Sequence, residues 1–173
     1  MTSAADLPAE TITYCERWSN TLCKPFEPLT PAEAQRRDEA KEFYTVVLGD
    51  PAAPRCYVEV AWENNYLGVW FLDEELRRSA HLSFTRLDDT RMFLDAVVLW
   101  HYSRRAGRSF SDASTIEKTS YKTNGFVRRT TTDVRKKRDK VEEFKDVPLD
   151  INWEPVPVFG DYRSVTRVER EPA

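Results

Sequence analysis

The chain is poor in the residues on which most catalytic and metal chemistry depends: two histidines, three cysteines and five glycines in 173 residues. His81 and His101 are the only imidazoles, so general acid–base work near neutral pH has few candidates. So few glycines leave little scope for a phosphate-cradling loop, and no H-E-x-x-H, EF-hand or G-x-S-x-G pattern occurs. Cys15, Cys23 and Cys56 are odd in number and lack C-x-x-C spacing. That argues against a disulfide framework or a structural zinc site and fits a reducing, cytoplasmic setting. No apolar run approaches the roughly 20 residues of a membrane helix. The opening "MTSAADLPAETITY" is polar, unlike a secretory signal. These absences predict a soluble cytoplasmic protein that is not an enzyme, uses no cofactor or metal, takes no small-molecule substrate and meets no membrane.

What is present is core material under a charged surface: 40% of residues are apolar, 12% aromatic and 32% charged, over a length that fits one domain. The net charge of −3 hides an asymmetry. Residues 1–100 carry 10 basic and 17 acidic side chains, residues 101–140 carry 12 and 4, and residues 141–173 carry 4 and 8. A basic segment thus lies between acidic arms, where it either complements them or attracts phosphate.

Residues 1–29 include Pro8, Pro25 and Pro28 without a sustained period, and read as a loosely ordered arm with at most a short helix over 12–22. Thr30, Pro31 and Glu33 supply an N-cap, a first-turn proline and a capping-box glutamate, so a helix is predicted within 30–49, ending by Gly49. From Cys56 the apolar period becomes two, and residues 56–147 read as an antiparallel sheet. A two-residue turn at Asn64 and Asn65 would pair Val58 with Phe71, Val60 with Val69 and Trp62 with Leu67. A second turn at Glu74 and Glu75 would pair Val69 with Ala80 and Leu67 with Leu82, extending one apolar face over three strands. The opposite face carries Tyr57, Glu59, Tyr66, Trp70, Leu72 and His81, too apolar to stay wet, so the helix or a partner should cover it.

"MFLDAVVLWHY" (92–102) is apolar on both parities, as a strand buried on both faces is. "RRAGRSFSD" (104–112) reads as a turn region. Asn124-Gly125 predicts a hairpin between "STIEKTSYKT" and "FVRRTTTDV", polar enough to project into solvent, and "KVEEFKDV" reads as one more strand. Residues 148–173, rich in proline, should cross the sheet in extended form with Trp153 and Phe159 as anchors.

The chemistry of individual side chains adds little. His81 has no carboxylate at a spacing that would orient it, and Cys56 reads as a buried strand residue. The acidic groups Asp73-Glu74-Glu75, Asp88-Asp89 and Glu142-Glu143 fall at turns or on a charged strand, where carboxylates serve solubility. Arg128, Arg129, the run 135–138 and Lys140, with Lys122, have only Tyr121 and Phe126 nearby as stacking partners. A nucleic-acid-binding module using 128–140 is therefore the second reading, because the acidic majority repels phosphate.

Two segments, 56–102 and 146–170, together resemble small bacterial immunity proteins encoded beside polymorphic toxins. The likeness rests on the aromatic strand pair "WENNYLGVWF", the Phe-Leu-Asp turn, the "RMFL" strand start and the "WEP" ending. It implies an antitoxin that binds a cognate toxin domain and occludes its active site inside the producing cell. The expectation is an α+β fold, a twisted and mostly antiparallel sheet of five to seven strands with an N-terminal helix packed on one face. The expected toxin contacts are Glu63, Asn64, Asn65 and Tyr66 at one turn and Asp73, Glu74 and Glu75 at the other. Since these turns lie at opposite ends of a strand pair, the first, which offers Tyr66 as an anchor, is favoured.

Overall fold

The computed structural model describes residues 10–104, 107 and 112–170. Eleven antiparallel strands form one sheet: β1 (Ile12–Ser19), β2 (Lys24–Leu29), β3 (Tyr44–Asp50), β4 (Ala53–Ala61), β5 (Tyr66–Leu72), β6 (Arg78–Arg86), β7 (Arg91–His101), β8 (Thr115–Tyr121), β9 (Val127–Asp133), β10 (Arg138–Phe144) and β11 (Trp153–Pro155). The strand order is β10-β9-β8-β7-β6-β5-β4-β3-β1-β2, with β11 paired to β7. The one α-helix among the described residues, α1, spans Pro31–Glu39. The fold is thus mostly β, and the expected α+β arrangement with five to seven strands is incorrect.

Two local misreadings account for the difference. The arm is no loose wrap: over its described part, β1 and β2 form a hairpin whose Tyr14 and Cys15 are buried, and 12–22 holds a strand rather than a helix. Pro25 and Pro28, which obscured the strand pattern, lie on β2 at the outer edge of the sheet, where a missing N–H breaks no ladder. The helix starts as expected: Thr30 Oγ1 accepts from the Glu33 N–H at 3.2 Å, and Glu33 Oε2 accepts from the Thr30 N–H at 2.8 Å. It ends near Ala40, with Lys41 left-handed at φ 59°, instead of running toward Gly49. The five residues from Tyr44 to Leu48 are all buried, and their β-branched and aromatic side chains favour a strand wedged between neighbours. Of the turn region 104–112, residues 105–106 and 108–111 lie outside the described residues.

The sheet registers differ from the expected ones by two residues. Val58 meets Val69 and Val60 meets Leu67, because the β4–β5 connection is four residues long and contains a 3-10 turn over Trp62–Asn64. Val69 meets Leu82 and Phe71 meets Ala80 across the longer connection between β5 and β6. An even shift leaves side-chain parity unchanged, so the apolar face stays where alternation put it. Val58, Val60, Leu67, Val69 and Phe84 on that face are essentially inaccessible to solvent. Ala34 of α1 and the C-terminal residues Phe159, Tyr162 and Val165 cover it.

The Asn124-Gly125 hairpin forms, with Gly125 left-handed at φ 83° and its carbonyl accepting from the Val147 N–H. Its turn end does not project freely: Val127 is buried in a small cluster with Phe93 and Leu149. β11 pairs Trp153 with Phe93 beside the start of β7, while β8 takes Ala96 to His101 further along that strand. The C-terminal segment thus contributes a short strand before it crosses the covered face, and Phe159 stacks on Tyr14 at 5.1 Å. No described helix is long and apolar enough to cross a membrane.

Leu67→Ala is expected to cost about 2–5 kcal/mol through the cavity it leaves. Leu87→Ala, at a side chain 48% exposed, should be close to neutral. Urea denaturation of both variants checks the contrast.

Candidate functional site: an aromatic face on the central strands

The second face of the sheet is built by the alternate residues of β4 to β7. Period two brings Tyr57 and Glu59 of β4, Tyr66, Gly68 and Trp70 of β5, His81 of β6 and Trp100 of β7 to one side. Helix α1 and the C-terminal segment pack on the other side, so neither supplies the cover expected here. Trp70, His81 and Trp100 are half-buried.

Trp70 is the centre of the face. Its ring stacks on His81 at 3.8 Å, on Trp100 at 6.0 Å and on Tyr57 at 6.1 Å, and Tyr57 in turn stacks on Trp18 at 5.4 Å. The Arg78 guanidinium lies 3.9 Å from the ring centre, close enough for a cation–π contact. The indole N–H donates to Glu59 Oε2 at 2.8 Å. Five residues from three strands thus fix the orientation of one indole.

Tyr66 lies along its own strand over Gly68 and reaches His81, its hydroxyl 3.1 Å from Nε2. This path requires glycine, since a Cβ at position 68 would sit 1.9 Å from the Tyr66 hydroxyl and 3.1 Å from His81 Nε2. Nearby, Thr85 Oγ1 donates to Asp95.

Burial shifts His81, Glu59, Tyr57 and Tyr66 on this face toward their neutral forms. Burial pushes the His81 imidazole down to about 4, and the positive charges of Arg78 and Lys118 act in the same direction. The ring is therefore neutral at neutral pH. Burial also raises the Glu59 carboxyl, against the Trp70 N–H and Arg78, which favour its ionised form. The phenols of Tyr57 and Tyr66 are pushed upward mainly by burial.

Within the face Tyr66 is hydrogen-bonded to His81 and Trp70 to Glu59. Burial drives the thiols of Cys15 and Cys56 up to about 11 and about 12, away from nucleophilic thiolate. His101 is exposed beside Glu117, with Nε2 2.9 Å from Oε1. Among the described residues no group of three or more His, Cys, Asp or Glu side chains is arranged to hold a metal ion.

The expected contact residues separate into two ends of β5. Glu63 and Asn64 are exposed in the 3-10 turn, and Asn65, also exposed, is left-handed at φ 52°. That turn is pinned: the buried Trp62 indole donates to Asp38 Oδ1 at 2.7 Å, and the Asn65 carbonyl accepts from the Arg86 N–H at 2.8 Å. Tyr66 leads from it onto the aromatic face. At the far end Asp73 organises its own turn, accepting from the N–H groups of Glu75 and Arg77 and from Arg77 Nε at 2.7 Å. Glu74 and Glu75 are exposed there, with Glu75 3.4 Å from Arg77. The structure therefore joins Glu63–Tyr66 to the Trp70 face and leaves Asp73–Glu75 apart. Trp18, Arg78 and Trp100 were missed by sequence reasoning, although continuing the alternation from His81 through its partner Val98 reaches Trp100.

The basic segment meets local counter-charges. Arg128 faces Glu143 at 3.9 Å, Lys136 faces Asp133 at 3.4 Å and Lys140 faces Glu142 at 3.0 Å.

His81 also gives the face a pH signature. Its value falls from 6.5 to about 4 on folding, so between those limits the unfolded chain holds a proton that the folded one rejects. The stability linked to His81 is complete above the upper limit and is lost as pH falls through the window. Glu59, raised on folding, acts in the opposite sense above its ordinary value of 4.5. Denaturation midpoints of wild type and His81→Gln, compared across this range, should show the wild type losing stability more steeply toward acid; parallel profiles would contradict the assignment. Comparisons with protein-family models, with curated proteins and with solved structures return no match to this chain.

Proposed function

We propose that the protein works by binding, as an immunity protein that holds a cognate toxin domain inactive in the cytoplasm of the producing bacterium. The observation that carries this reading is the Trp70-centred stack on a sheet face that α1 and the C-terminal segment leave open. Tight interfaces concentrate their energy in a few aromatic and arginine anchors surrounded by a polar rim. Trp70, Trp100, Tyr66 and Arg78 supply the anchors, and Glu63, Asn64 and Asn65 supply the rim. The anchors are ordered before any partner arrives, which lowers the conformational entropy lost on association. The resemblance of 56–102 and 146–170 to immunity proteins gives the partner its class. Occlusion of an active site requires no catalytic group on the inhibitor.

The nucleic-acid alternative draws on residues 128–140, and the carboxylates beside Arg128, Lys136 and Lys140 weaken it. Retention on DNA or RNA that falls steeply with salt would favour it instead.

The test is the affinity of the full chain for the toxin domain encoded beside it. Trp70→Ala is expected to weaken binding by about 30-fold or more, the scale of an interface anchor lost. The double variant Glu63→Lys, Tyr66→Ala should also bind more weakly, while Glu74→Lys should leave affinity unchanged. Absence of any complex with the wild-type chain would overturn the function. Unchanged binding by folded Trp70→Ala would overturn the site.

A further inference from the structure

On the covered side of the sheet, away from the aromatic face, lies a cleft of about 690 Å³. Its floor is the apolar row Phe71, Ala80, Leu82, Leu94 and Val97, and its walls come from the 147–152 connection and the C-terminal segment. The volume falls within the range of small-molecule sites, which are mostly apolar with a few placed polar groups. Here those groups include Arg55 and Arg170.

Among the described residues, Arg170 shares its carboxylate partner. Its side chain is only 8% exposed, and it shares the buried carboxylate of Glu154, 2% exposed, with Arg167. Glu154 Oε1 accepts from Arg167 Nη2 at 2.6 Å and from Arg170 Nη1, so one carboxylate serves two guanidinium groups. Arg170 Nη2 donates to the Val165 carbonyl at 3.2 Å, while its buried Nε meets no acceptor among the described residues. Arg55, by contrast, is matched by Glu10 in a two-pronged pair at 2.8 and 2.9 Å. A guanidinium stays charged when buried. Among the described residues lining this apolar cleft the charged side chains, Arg55 and Arg170, are both basic, which suits a ligand with an apolar chain and one negative end.

We propose that this cleft binds a single-chain amphiphile with an anionic head, of the fatty-acid class, its chain along Phe71, Leu82 and Leu94 and its carboxylate at Arg170. Burial of the chain supplies most of the affinity in proportion to apolar area, and the carboxylate accepts from the guanidinium in a charge-assisted hydrogen bond.

The experiment is calorimetric titration of the full chain with monomeric dodecanoate and with dodecanol, beside co-sedimentation with phosphatidylglycerol vesicles. Dodecanoate should bind at one site about tenfold or more tightly than dodecanol, the scale of one charge-assisted hydrogen bond. Arg170→Gln should abolish that preference without changing dodecanol binding. Ala80→Phe, which fills the floor and leaves the charges in place, should reduce binding of both. If Arg170→Gln does not fold, the wild-type preference and Ala80→Phe decide. Equal affinity for the two probes, no binding of dodecanoate, undiminished binding by folded Ala80→Phe, or capture by vesicles without binding of the monomer would each overturn the proposal.

Discussion

The pairing of β5 with β4 and β6 is the constraint on which both faces of the molecule depend. In "YLGVWFL" the residues Leu67, Val69 and Phe71 point to one side and Tyr66, Gly68 and Trp70 to the other. A slip by one residue would exchange these sets, placing Trp70 and Tyr66 in the core and exposing three apolar side chains. The buried ladder Val58–Val69–Leu82 makes that slip costly, and in doing so fixes the outward direction of the indole. Core and open aromatic face are two consequences of one register.

A second node ties the rim to the scaffold. Asp38, at the end of α1, accepts from the Tyr44 hydroxyl at 2.8 Å and from the Trp62 indole at 2.7 Å. The carboxylate joins helix, β3 and the turn that carries Glu63 to Asn65. Arg86 extends this bracing, its guanidinium 5.3 Å from the Trp62 ring and its N–H bound to the Asn65 carbonyl. A turn held from below in this way presents its polar side chains beside Tyr66 in a set geometry, as a tight interface requires.

Features decided by neighbours in sequence were legible: the Thr30–Glu33 capping box, the hairpin at Asn124-Gly125 and the parity of β4, β5 and β6. Features decided by partners far along the chain were not. Strand β1 became visible only through its pairing with β3, which follows it by more than twenty residues, and the prolines of β2 concealed an edge strand. Registers missed by two because the turns are longer than the shortest possible hairpin, an error that parity does not detect. Most of the candidate surface was named in advance, since Tyr57, Glu59, Tyr66, Trp70 and His81 share one alternation. Trp18 and Trp100 enter from strands at either side, and the path of Tyr66 across Gly68 depends on side-chain direction that spacing does not encode.

We propose that a partner sits on the Trp70 face. Oxidative footprinting of the tryptophan rings, with the toxin domain absent and then at saturation, tests it most directly. Trp70 and Trp100 are expected to be modified in the free protein and protected in the complex, while the buried Trp62 changes little in either state. A complex formed at saturation with Trp70 and Trp100 modified as fast as in the free protein would contradict it.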